Sequence, residues 1–91
     1  MSVLLVTYDL DKPSRNYDGL IKAIKKRTWC HALDSVWFLD TADSPSTVRD
    51  ELSEELDEGD QLYVFRLRKS WASHKKDFGT EWLKSDKRSW D

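Results

Sequence analysis

Four consecutive apolar residues, Val3-Leu4-Leu5-Val6, run without a polar break into Thr7-Tyr8-Asp9. A short unbroken run of branched apolar residues reads as a strand buried on both faces. Such a strand sits in the middle of a sheet and not at its edge. It ends on a carboxylate, Asp9, with Asp11 two residues further on. In sheets that carry helices, chemistry gathers at the ends of central strands. Asp9 is therefore the first candidate for a catalytic or metal-binding side chain. The plainer reading is that Asp9 and Asp11 open a polar turn ahead of Pro13.

The rest of the chain supplies partners for that strand. Pro13 marks a turn, and Ser14 is a candidate N-cap for a helix. Tyr17, Leu20, Ile21 and Ile24 follow at the spacing of one helical face. Lys25-Lys26-Arg27 reads as a helix end, where cations favour the helix dipole. The segment from Trp29 to Thr41 is dense in aromatic and β-branched residues and reads as strand. Asp34-Ser35 interrupts it, leaving two short strands or one long bent one. Ser44 as cap and Pro45 in the first turn open a second helix. Its apolar stripe is Val48, Leu52 and Leu56, its outer face is acidic, and Gly59 is expected to end it in a left-handed conformation. Gln61 to Arg68 reads as the last strand, with Leu62, Val64 and Arg66 on one face and Tyr63, Phe65 and Leu67 on the other.

This order predicts an α+β, ferredoxin-like βαββαβ domain over residues 1–68, with two helices on one face of a mostly antiparallel sheet. Residues 69–91 form a tail with too few apolar residues for a second core, so the tail packs on the domain, on a partner protomer or on a ligand. A sheet face left without helices and rich in aromatics predicts a homodimer.

Charge separates the same two parts. Residues 1–65 carry 7 Lys/Arg against 13 Asp/Glu, a balance of −6, whereas residues 66–91 carry 8 against 4, a balance of +4; together they return the net −2. A basic third on an acidic body makes a local patch for phosphates. No apolar stretch approaches the length of a membrane span, and no signal peptide is expected. The single Cys30 rules out an internal disulfide framework and fits a cytoplasmic protein.

Several chemistries are unsupported. Cys30 and His31 are adjacent in a strand and point to opposite faces, and His74 adds one more ligand, so zinc is not expected. His31 and His74 as an acid–base pair for RNA cleavage is a minor alternative. Neither a nucleophile elbow nor a Gly-rich phosphate loop is present. Two features remain. Asp9 is a candidate Mg²⁺ ligand, since magnesium is commonly held by one or two carboxylates with waters and substrate phosphates, and a two-fold axis would supply Asp9 twice. Arg66, Arg68 and Lys69, with Trp71, interleave cations and an aromatic, a combination that meets phosphates and stacks on bases. The competing reading for these four is an edge strand blunted by charge, with Trp71 plugging a small core.

Three segments resemble the CRISPR-associated protein two family and its stand-alone relatives. Val3 to Leu10 resembles the family's opening strand, Leu33-Asp34-Ser35-Val36-Trp37-Phe38 its central strand, and Asp60 to Leu67 its last core strand. The resemblance implies a ferredoxin-like homodimer in which Asp9 binds magnesium for phosphodiester cleavage of RNA or single strands at the dimer interface. The alternative it implies is a non-catalytic dimeric adaptor, in phage defence beside an integrase partner or in a toxin–antitoxin system; the related virulence-associated protein D family, of similar fold, is associated with ribonuclease toxicity. The doubled aromatic Trp37-Phe38, the Trp-rich tail and the acidic body depart from the family pattern and point to a stand-alone relative.

Overall fold

The computed structural model describes residues 1–12, 17–74 and 77–90. The expected turn at Pro13 and cap at Ser14 lie outside the described residues, as do Lys75 and Lys76. The elements are β1 (Ser2–Asp9), α1 (Asp18–Ile24), β2 (Thr28–Leu33), β3 (Val36–Thr41), α2 (Pro45–Ser53), β4 (Gln61–Arg66) and α3 (Phe78–Lys84). The four strands form one sheet in the order β2-β3-β1-β4, with every neighbouring pair antiparallel. The unbroken apolar run is a central strand: Val3, Leu4 and Val6 are fully buried.

Alternation along the strands builds one core. Leu4 and Val6 of β1 and Trp37 and Leu39 of β3 meet Leu20, Ala23 and Ile24 of α1 and Val48 and Leu52 of α2. Each large side chain so buried contributes about 1.5–3 kcal/mol. Trp37 is the largest of them; its Nε1–H donates to the Tyr8 hydroxyl at 3.0 Å, and the His31 ring stacks on it at 3.8 Å. The ambiguous segment around Asp34-Ser35 is a hairpin with a two-residue turn, and its register shifts between His31 and Leu33 as at a bulge. Ser44 caps α2 by accepting the Thr47 N–H at 3.2 Å, and Pro45 occupies the first turn, as the sequence predicts.

Arg27 joins the ends of α1 and α2. Its side chain is largely buried, 2.6 Å from Glu51 and 2.9 Å from Asp43. Burial works against the guanidinium charge, but the two carboxylates outweigh it and raise the Arg27 pKa. Arg27's hydrogen bond holds the Glu51 carboxyl below the usual range. The Lys25-Lys26-Arg27 run is thus a helix end whose arginine is committed to structure.

Two expectations are corrected. Gly59 does not end α2: the helix stops at Ser53, and no described glycine has positive φ. The chain instead descends through turns that Asp60 staples. Its carboxylate accepts the Asp57 N–H at 2.7 Å, the Asp11 N–H at 2.7 Å and the Tyr17 hydroxyl at 3.0 Å. Gly59 is small for a different reason, since a Cβ there would run into the Asp11 carboxylate. The second correction concerns the sheet face opposite α1 and α2, which is not left without a helix. α3 packs there against β2, with Gly79 close to Ala32, and Trp82 stacks on Phe38 with centroids 6.1 Å apart.

Candidate functional site

The C-terminal segment is held on the second sheet face by polar as well as apolar contacts. Asp77 caps α3 by accepting the Thr80 N–H at 3.0 Å, and that bond lowers its pKa. The Thr80 hydroxyl donates to Ser73 at 2.8 Å, and Thr80 and Leu83 are buried. Beyond α3, Arg88 lies over the Trp82 ring at 3.9 Å and reaches Asp40 of β3 at 2.8 Å. Those two side chains are 8% and 7% exposed, which makes the pair a buried anchor. Burial, followed by the nearby Asp77 charge, raises the pKa of Cys30 beneath α3 and keeps its thiol protonated.

Two hollows flank Trp71 on this face. One, of about 760 Å³, is walled by Lys69, Trp71, Lys84, Asp86 and Trp90 among others. The other, of about 520 Å³, is mostly apolar, lined by Leu5, Phe38, Leu67 and Leu83 with Trp71 at its border. The first offers two half-buried indoles and two exposed lysines in one open cleft. Indole faces stack on bases, and lysines meet phosphates.

The sequence-predicted residues divide between the two ends of the sheet. Asp9 is exposed at the end of β1, opposite Gln61. Arg66 pairs with Leu4, five positions back along the same strand. At the rise of an antiparallel strand these positions are about 17 Å apart. Arg66, Arg68 and Lys69 are exposed, but Arg66 shares the face of Leu4, whereas Lys69 and Trp71 open onto the opposite face. One chain therefore joins Lys69 to Trp71 and keeps both from Asp9.

Among the described residues no group of three or more His, Cys, Asp or Glu side chains gathers as metal ligands. Asp9 offers magnesium one exposed carboxylate at the end of β1. His31, on the Trp37 face, and His74, beside the apolar hollow, lie on opposite faces of the sheet and form no acid–base pair.

Sequence reasoning missed Lys84 and Trp90 as partners of Lys69 and Trp71. No local spacing links them; α3 and the Arg88 anchor bring them together. Comparison with known proteins finds no matching family model, no matching curated protein and no matching solved structure. No helix among the described residues is long and apolar enough to cross a membrane.

Proposed function

We propose that this chain is a ferredoxin-like, homodimeric nucleic-acid-binding module, an adaptor resembling the CRISPR-associated protein two family, that takes RNA or single-stranded DNA in its cytoplasmic setting. The strand order β2-β3-β1-β4 with helices after β1 and β3 supports the ferredoxin-like assignment. The observation that carries the binding function is the cleft in which Lys69 and Lys84 stand beside the indoles of Trp71 and Trp90. Either indole can stack on an unpaired base while the lysines meet its phosphate. Arg68, exposed beside Lys69, adds a further cation near the cleft, whereas Arg66 stands on the other face of the sheet. The test is fluorescence anisotropy of a labelled single-stranded RNA with wild type and Trp71→Ala. One lost stack is worth about 1–3 kcal/mol, so affinity falls roughly 5- to 150-fold. Equal affinity refutes the cleft as the site.

A second reading is magnesium-dependent cleavage of RNA or single strands with Asp9 as ligand. It is favoured by the exposure of Asp9 at the end of the central strand. It needs a second carboxylate from a partner protomer. Cutting that requires magnesium and disappears in Asp9→Asn, with fold and mass unchanged, establishes it; no cutting by wild type removes it.

A further inference from the structure

The homodimer above has no geometry yet, and the free edge of β4 supplies one. β4 is an outer strand of the sheet. The Leu67 N–H donates to the Val3 carbonyl at 2.8 Å, so the backbone groups of Gln61, Tyr63, Phe65 and Leu67 turn inward toward β1. Those of Leu62, Val64 and Arg66 turn outward. This edge carries no proline, and its pairing with β1 runs from Gln61 to Arg66 without a register shift. Tyr63 and Phe65 are 62% and 52% exposed and stack on each other at 6.0 Å. An open, regularly paired, aromatic edge of this kind recruits another strand.

Charge says which strand. The stretch before β4 is acidic (Asp57, Glu58, Asp60), and the stretch at and after its end is basic (Arg66, Arg68, Lys69). An antiparallel pairing of β4 with its own copy sets each acidic end against the other's basic end, twice. Alternation narrows the register, and the match of Asp57, Glu58 and Asp60 to Lys69, Arg68 and Arg66 selects it. Outward-turned residues must pair with outward-turned residues, and centring the two-fold axis on Tyr63 sets Leu62 against the partner's Val64 and Asp60 against the partner's Arg66.

We infer that β4 pairs antiparallel with β4 of a second copy about a two-fold axis at Tyr63, giving one continuous eight-stranded sheet. This rests on the homodimer reading and deepens it. The axis stands perpendicular to the sheet, so both Trp71 clefts open on the same side, where one single strand crosses them. Tyr63 meets its own copy, and the two Tyr63–Phe65 stacks join into one buried aromatic patch. The two Asp9 carboxylates stay roughly 20 Å apart, four residues along the strands and three strand spacings across. This dimer therefore does not build a shared magnesium site from Asp9.

Cysteine crosslinking tests the register without using nucleic acid. Tyr63 faces itself in a non-hydrogen-bonded pair, where Cα atoms lie about 4.5 Å apart, within disulfide reach. Phe65 faces the partner's Gln61 and lies roughly 14 Å from its own copy. Both side chains are exposed, so Tyr63→Cys and Phe65→Cys retain the fold, and the buried Cys30 gives a low background. Under mild oxidant Tyr63→Cys is expected to become mostly covalent dimer and Phe65→Cys to stay uncrosslinked, while light scattering gives wild type twice the chain mass. A wild-type dimer with no crosslinking, or equal crosslinking at both positions, overturns the edge pairing and leaves the homodimer. A monomeric wild type overturns both.

Discussion

Removing Asp40 tests how the C-terminal segment, and with it the cleft, is held. Arg88 and Asp40 meet at 2.8 Å with both side chains more than nine-tenths buried. At an effective dielectric constant of 20 the attraction at that distance is about 6 kcal/mol, much of it offset by desolvating the two ions. The pair as a whole therefore adds little net stability, but stranding one member costs roughly 3–5 kcal/mol. We place Asp40→Leu at the low end, about 3 kcal/mol, because residues 85–90 carry no helix or strand and the freed guanidinium can swing into water. With a urea slope of roughly 1–1.5 kcal/mol per molar for a chain of this size, the unfolding midpoint falls by about 2–3 M. Limited proteolysis should then cut after α3 before the sheet is touched. The double variant Asp40→Leu with Arg88→Met, which removes both charges, should recover most of the loss. A loss under about 1 kcal/mol in Asp40→Leu, the value of a solvent-exposed pair, refutes the buried anchor.

Two further predictions concern the scaffold. Glu51 is held below the usual carboxyl range by Arg27, so its contribution is full above the unfolded value of about 4.3 and is lost as pH falls through the lower folded value. Glu51→Gln should thus be less stable than wild type at neutral pH, with the gap in urea midpoint closing below about pH 4; a constant gap contradicts the assignment. Asp60→Ala removes three accepted hydrogen bonds between the loop after β1, Tyr17 and the turn before β4. At about 1 kcal/mol each the loss is roughly 2–3 kcal/mol, a melting temperature lower by about 10–20 °C in calorimetry.

The central position of β1 was legible because both of its faces are covered, Leu4 and Val6 by α1 and α2 and Leu5 on the side of the C-terminal segment, so its apolar run needs no polar alternation. The start of α2 was legible because Ser44-Pro45 states a cap and a first turn in two adjacent residues. The end of α2 was not, because the Asp60 staple reaches Asp11 and Tyr17, both more than forty positions away. α3 escaped notice because a seven-residue helix shows too few apolar positions to display a period, although Asp77 ahead of it is an ordinary cap. The site was legible only in pieces. Lys69 and Trp71 share one cleft because they are close in sequence. Lys84 and Trp90 joined them only once Arg88 had found Asp40, 48 positions earlier. The separation of Asp9 from the basic run follows from antiparallel register: the end of β1 meets the start of β4, and the cations lie at its far end.

The binding claim is tested most directly by titrating a labelled single-stranded RNA with the intact protein at two salt concentrations. If Lys69, Lys84 and Arg68 each neutralise one phosphate, the logarithmic salt slope is about −2, and affinity falls roughly twentyfold between about 50 and 200 mM salt. That loss, together with quenching of tryptophan fluorescence on binding, is the predicted result. Absence of binding at tens of micromolar protein in about 50 mM salt, or binding indifferent to salt, contradicts the account.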